Sequence, residues 1–493
     1  MGNKTTTTAG VGQAPARAKV LNQITVDPSL SIDGLRGFLS DPSVDVIVFR
    51  PGIYDLSGSF PSDHVFAVNR SVTLKALQKE SKPVLNIINT GFDPRTDNTQ
   101  AGAIIVNAPG QRVEFENLII NTNRSLDVTG SEYLRIDGCD ITTTGGPANS
   151  AVYLGDYVSK QNAVTGEVVI ENCRLIAEPG GHTTRNADGT LIRENFNAGI
   201  FSNFAPAKYR IRNNYLSGNA GVDCYGANDT VVELNTVLAQ DYINSWVSFG
   251  IVVANNPGTS VVIRDNKINL ALPVPVEDPF GLTASYGPAN GIGVQHGVAI
   301  QVGQVIFDLP AYDVTVMNNE VTGNASFMIW AFRVTGGRIQ NNRRTNLKLP
   351  WFDYNAQRNP PLVPFNTTLL GMPALPDYPV EFVGMDFAEY GLMGKLIGLE
   401  GWWRAFALRY VPACEYCLLY STDVHLIDNA APAARFFDFN GTLDSSTFEV
   451  VEIPSTNKVL GTLRRVLNAK PAVVKCNAGS IPMSLRKTGI TMH

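Results

Sequence analysis

The polar and apolar positions of this chain repeat a six-residue phrase that reads apolar, polar, Asn or a substitute, polar, polar, apolar. It is clearest at Ile211-Arg212-Asn213-Asn214-Tyr215-Leu216 and recurs from Phe115, Ile136, Ile170, Val232, Ile263, Val316 and Ile339. The steps between copies are 21, 34, 41, 21, 31, 53 and 23 residues. A recurring minimum of 21 to 23 is one turn of a solenoid, and the longer steps are that turn with loops inserted. Alternating runs precede the phrase, as in Val113-x-Phe115, Leu134-x-Ile136, Tyr209-x-Ile211 and Val314-x-Val316. Period-two alternation predicts a strand with one buried face.

The third place of the phrase holds Asn, Asp or Gly in seven of eight copies, the residues that best tolerate a left-handed backbone. A strand, a left-handed bend and a second short strand make a corner, and stacked corners let Asn amides bond along the stack. This Asn-bearing ladder resembles that of right-handed parallel β-helices of the pectin-lyase-like superfamily over roughly residues 44–348. The run Val44–Leu56, with its strand, Pro51-Gly52 turn and Tyr54, is similar to the first coil of many β-helix proteins acting on sugars. The resemblance implies an all-β fold, a right-handed parallel β-helix. One fold hosts unrelated activities, so it does not assign function.

Four regions follow in order. Residues 1–24 are a Thr-rich, flexible N-terminal arm. Residues 25–348 are the β-helix, opened by a short amphipathic helix over Ser31–Leu39 that caps the end of the stack. Residues 349–379 are a Pro-rich linker, and residues 380–493 are a smaller C-terminal β-rich domain. Inserts around 156–167, 178–195, 271–295 and 303–312 are rich in Gly, Pro and polar residues. Such loops beside one face of a rigid scaffold are where binding sites are built.

An extra strand is expected before each phrase. Counting back from the phrases puts Leu126, Val152, Ile200, Val222, Ile251 and Ile329 inward. Their followers Asp127, Tyr153, Phe201, Asp223, Val252 and Trp330 then point outward on one face, with Asn203 and Tyr225 two residues further along. Aromatic faces cover apolar faces of sugars while Asp and Asn bond hydroxyls, so Asp127, Tyr153, Phe201, Asn203, Tyr225 and Trp330 are the expected glycan-binding residues. The alternative is aromatic packing beneath loops or the C-terminal domain, and a one-residue slip would invert the face.

Catalysis has a thinner signal. Hydrolysis of a glycoside uses two carboxyl groups about 5–9.5 Å apart; Asp223 is the best single candidate, with Asp127 several coils away and Asp241 and Glu194 in loops. Gly221-Val222-Asp223-Cys224 and Gln295-His296-Gly297-Val298 are similar to the Asp and His-Gly strands of polygalacturonases. The paired aspartates and the Arg-x-Lys strand of that pattern are missing here, so its activity is not carried over. His296, and behind it His182 and His64, are weaker candidates.

Composition narrows the class. Of 493 residues only 17% are charged and 44% are hydrophobic, with 44 Gly and 29 Pro, which suits a turn-dense all-β chain. A net charge of −5 gives no reason to expect nucleic acid as a partner. No run approaches the ~18 apolar residues of a membrane helix. The N-terminus lacks the apolar core of a secretory signal, which predicts a protein made in the cytoplasm without a signal peptide. Gly2-Asn3-Lys4-Thr5-Thr6 matches the N-myristoylation pattern, which would give weak membrane association. Of six cysteines, Cys139, Cys173 and Cys224 are read as reduced packing residues and Cys414-x-x-Cys417 as unlinked thiols, with a disulfide, or a zinc site completed by His425 and Cys476, as the alternatives there; no metal or other cofactor is expected.

The resulting expectation is a carbohydrate-binding structural or attachment protein of a virus or phage particle, its partner a polysaccharide or surface glycan. The alternative is a polysaccharide lyase or glycoside hydrolase acting in the β-helix groove. Trimeric spikes and monomeric enzymes share the fold, so homo-oligomer or particle assembly stays open.

Overall fold

The computed structural model describes residues 21–61, 64–91, 103–144, 150–155, 164–178, 197–240, 249–271, 298–304, 309–324, 327–348 and 414–429. It also describes the short segments 184–185, 191–193, 435–439, 441–444, 449–452, 456–460 and 464–465. Among these residues the chain is a parallel β-helix. One stack of ten strands runs from Ile53–Asp55 to Arg343–Lys348, and a 23-stranded sheet makes up two further stacks. In each coil a strand of the 23-stranded sheet leads into the corner (the first stack, as Lys208–Arg212), a strand of the ten-stranded stack leaves it (the second, as Tyr215–Gly218), and another strand of the 23-stranded sheet precedes the next coil (the third, as Ala220–Ala227). The first and third stacks form one sheet because Ile104–Glu116 and Leu126–Asp137 each run through both.

The phrase sets the register. Phe115 pairs with Ile136, Ile136 with Ile170, Ile170 with Ile211, and so on through Val232, Ile263, Val316 and Ile339 without a slip. The series extends backward to Leu74, Ile47 and Ile24 and forward to Leu426 and Val459. Ile47 through Leu426 are buried as one row of the core. The sixth place supplies a second row, Ile120, Ile141, Leu175, Leu216, Val237, Ile268 and Val321, also buried.

All eight third-place residues are left-handed, with φ between 50° and 62°. Gly138 is needed at its corner, since a Cβ there would sit 2.4 Å from the Asn117 amide oxygen. Leu234 adopts the same conformation without a short polar side chain and is 57% exposed. Two amide ladders run along these corners. The exposed one links Asn213 to Asn172, Asn172 to Asp137, Asn341 to Asn318 and Asn318 to Asp265 at 2.7–3.1 Å.

The second ladder is buried, at the fourth place: Asn214, Asn235, Asn266, Asn319, Asn342 and Asn429. Each Nδ2 donates to the next Oδ1 at 2.9–3.2 Å as far as Asn429. Each Nδ2 also donates to a backbone carbonyl of the preceding coil, and each Oδ1 accepts a backbone N–H of that coil. In the earlier coils Leu118, Cys139 and Cys173 take this place and are buried without an amide.

The expected cap is present. Helix Ile32–Ser40 begins at Ser31, whose Oγ accepts from Gly34 N, and it buries Leu35 and Leu39 on the core. Arg70 fastens its far end by donating to the carbonyls of Phe38, Leu39 and Val44.

Past residue 348 the stack continues. Cys414–Leu419 pairs in parallel with Phe327–Phe332, Thr422–Ile427 with Val334–Gln340, and Arg435–Phe439 with Cys414–Leu419. Thus the described strands of the expected C-terminal domain are β-rich, and these ones add coils to the β-helix. Leu426-Ile427-Asp428-Asn429 is a further corner, with Asp428 left-handed and Asn429 on the buried ladder. The Pro-rich segment 349–379, the arm through residue 20, residues 380–413 and residues 466–493 lie outside the described residues.

Two stability effects follow. Asn266→Ala strands the Asn235 amide and backbone N–H and the Val232 carbonyl, and should cost about 3 kcal/mol or more. Asn318→Ala, on the exposed ladder, gives up a left-handed preference and two solvent-exposed amide bonds and should cost about 1–2 kcal/mol; a loss as large as that of Asn266→Ala in chemical denaturation would refute the distinction. Leu234→Asn relieves a strained corner and should stabilise the fold by about 1 kcal/mol, read as a higher denaturation midpoint.

Candidate functional site

The third stack carries the outward residues named from the sequence, and their register is as expected. Asp127 pairs with Tyr153, Tyr153 with Phe201, Phe201 with Asp223, and Asp223 with Val252. Gln301 stands between Val252 and Trp330. The insertion after Val302 lengthens that coil, so counting back from Val316 passes over Ile300 and Gln301; the alternation Val298-x-Ile300-x-Val302 was the available signal. Asn203 pairs with Tyr225 on the same face.

This row is largely buried. Asp223, Gln301 and Trp330 are 1–2% exposed and Val252 is fully buried; Asp127, Asn203 and Tyr225 are buried as well, while Tyr153 and Phe201 are half-buried. Val252, Phe249, Phe327, Trp330, Phe332, Cys417 and Leu419 belong to a second apolar cluster with Tyr225 on the outer side of the stack. Burial therefore divides the face, with Trp330 in a packed region and Tyr153–Phe201 near solvent. The rings of Tyr153 and Phe201 are stacked, 5.4 Å between centroids and 13° apart, and Tyr225 meets Phe201 edge-on at 5.7 Å. Stacking along the helix turns these ring faces toward each other rather than outward.

A polar chain runs through the buried part. Tyr225 Oη donates to Asp223 Oδ2 at 2.6 Å, Gln304 Nε2 donates to Tyr225 Oη at 3.2 Å, and Gln301 Nε2 donates to Gln304 Oε1 at 3.0 Å. Asp223 Oδ1, Gln301 Oε1 and Trp330 Nε1 are buried without hydrogen-bond partners. Burial pushes the Asp223 carboxyl up to about 7, against the pull of the Tyr225 hydroxyl, and keeps the Tyr225 phenol protonated. At the other end of the row, His64 Nε2 lies 3.5 Å from Asp127 Oδ2, a pairing that distance in sequence concealed.

Asp127 and Asp223 are three coils apart. At ~4.8 Å per coil this is about 14 Å, beyond the span in which two carboxyl groups share glycoside hydrolysis. His296, His182, Asp241, Glu194 and Gly2 lie outside the described residues. Cys139, Cys173, Cys224 and Cys417 are buried free thiols, and burial raises Cys139 to about 12. Among the described residues no group of His, Cys, Asp and Glu is arranged to hold a metal ion. No described helix is long and apolar enough to cross a membrane.

No family model, curated protein or solved structure matches the chain. The class it belongs to is therefore defined by its architecture, a parallel β-helix with two amide ladders at its corners.

The Asp223 carboxyl gives a pH signature. Its folded value lies above the ordinary 3.8, so folding is favoured most below that value. The contribution is lost as pH rises toward about 7, to a total on the order of 4 kcal/mol. Asp223→Asn should remove this slope and raise stability relative to the native chain at pH 8. Parallel stability–pH curves for the two proteins would refute the assignment.

Proposed function

We propose that this chain is a carbohydrate-binding structural protein, a relative in kind of the pectin-lyase-like β-helices, serving as a surface or attachment component of a virus or phage particle. The observation that carries the reading is the half-exposed Tyr153–Phe201 pair in register beside Asp127, with Asn203 Nδ2 3.4 Å from Tyr153 Oη. Ring edges and a phenol offer apolar contact and a hydroxyl partner, and Asp and Asn bond further hydroxyls. The wide separation of Asp127 from Asp223 supports binding over two-carboxylate hydrolysis. Continuous pairing from Gln23 to Leu460 makes a rigid scaffold suited to display.

A lyase or hydrolase is the second reading, and the raised Asp223 carboxyl favours it, because a group near neutrality can hold or release a proton. Reducing-end release from neutral and acidic polysaccharides, abolished by Asp223→Asn, would establish turnover and displace the binding-only reading.

For the binding reading, Tyr153→Ala and Phe201→Ala should each weaken retention on the best ligand of a glycan array by about tenfold. Trp330→Ala should act on stability before binding, since that ring is packed in the buried cluster. Unchanged affinity in both Tyr153 and Phe201 variants would sink the proposed site.

A further inference from the structure

The outward side of the first stack stays in contact with solvent, and over most of its length its cations are neutralised within the chain. Arg112 and Arg135 meet the carboxylates beside them, and Lys208 meets Asp229. Arg210, Arg212 and Arg264 each pair with a glutamate of the adjacent coil. From Arg112 to Arg264 each described Arg or Lys of this face therefore has a counter-charge.

The pattern breaks toward the C-terminal end. Arg338, His425 and Lys458 occupy the same outward place on three successive rungs. Arg338 and Lys458 are exposed and His425 is half-buried, and none of the three forms an ion pair with a described residue. The column that supplies Glu171 and Glu233 to the earlier arginines continues here as Gln340, Ile427 and Leu460, which carry no charge. Thr315 is the rung before Arg338. Asp423 and Asp428 lie at the two ends of the His425 strand, both left-handed, and neither pairs with the three. Rungs are ~4.8 Å apart, and like charges directly opposite on neighbouring strands are destabilising. An anion laid along the column offsets that repulsion.

We propose that Arg338, His425 and Lys458 bind an acidic polysaccharide, an extended chain with one anionic group on each ring. The rung spacing is close to the rise of one sugar ring in such a chain, so successive rings bring their anions to successive rungs. The Arg338 fork suits a carboxylate or sulfate, Lys458 adds a point charge, and His425 supplies a ring N–H donor between them. In the next column Gln340 offers an amide for hydroxyls, while Ile427 and the 52%-exposed Leu460 offer apolar contact for the C–H faces of the rings. On the other side the approach is open, since a Cβ at Gly336 would meet nothing within 4 Å. A nucleic acid suits the surface less well. Neither column holds a Phe, Tyr or Trp among these rungs on which a base could stack, and the net charge of −5 opposes a long polyanion. The ridge lies on a different stack from the Tyr153–Phe201 row and uses none of its residues, so the two readings are tested separately.

The test is biolayer interferometry of the full chain on immobilised alginate, dextran sulfate, hyaluronan, neutral dextran and single-stranded DNA, with folding checked by circular dichroism. Alginate carries a carboxylate on every ring and hyaluronan on every second one. Alginate or dextran sulfate should bind more tightly than hyaluronan, neutral dextran should not bind, and added salt should weaken the complex. The tighter of the first two identifies the anion as carboxylate or sulfate. Arg338→Gln with Lys458→Gln should lower affinity by about tenfold or more. Arg338→Lys, which keeps the charge, should retain binding, as should Arg210→Gln and Tyr153→Ala. No binding to either polyanion, hyaluronan held as tightly as alginate, or affinity unchanged in the double variant would overturn the proposal. An equal loss in Arg210→Gln or Tyr153→Ala would also overturn it, by removing the ridge as the site. Tighter binding of DNA than of either polysaccharide would assign the ridge to a nucleic-acid backbone instead.

Discussion

The fold depends on one repeated requirement, that the backbone turn left-handed at each corner and still satisfy its buried amides. The third place meets the first half with Asn, Asp or Gly, and the fourth place meets the second half. From Asn214 to Asn342 each buried amide donates to the coil behind and to the amide ahead, and its oxygen accepts from the coil behind. An offset of one residue would take every buried amide out of line with the next and leave its hydrogen bonds unmade, so the ladder locks the register that the apolar rows only favour. At the earliest of these corners Leu118 is an apolar filler, while Cys139 and Cys173 donate their thiols to backbone carbonyls in place of the amide.

The same coil produces two unlike outer surfaces. The third stack turns aromatic and aliphatic side chains outward, and they gather into a second buried cluster with a polar chain through it. Burial at this place gives Asp223 its raised carboxyl, because a charge there has lost its water and gained only one hydroxyl. The first stack turns charges outward, most of them paired across coils, and stays in contact with solvent.

Much of the architecture was legible along the chain. The phrase at Ile211 and its copies specify strand, corner and register, and the counting that nominated Asp127, Tyr153, Phe201, Asp223 and Trp330 as one outward row holds in the paired strands. Less legible was the continuation of the stack beyond residue 348. The phrase at Leu426 carries its Asn but ends in alanine, and a long insertion parts it from its neighbour at Ile339. Gln301 escaped for a similar reason, because an insertion broke the fixed interval to the next corner.

By itself, the sequence determined the periodicity, the corner chemistry and the inward and outward sets, because these are local consequences of side-chain alternation and of which residues accept a left-handed bend. Only the tertiary structure decided which outward residues meet solvent. Alternation distinguishes two sides of a strand but is silent on what covers the outer one. Trp330 and Asp223 are thus buried while Tyr153 and Phe201 are half-exposed, though all four occupy the same place in their coils. Likewise the pairing of His64 with Asp127, and the alignment of Arg338 with His425 and Lys458, arise from stacking coils whose separation in sequence is set by insertions of unrelated length.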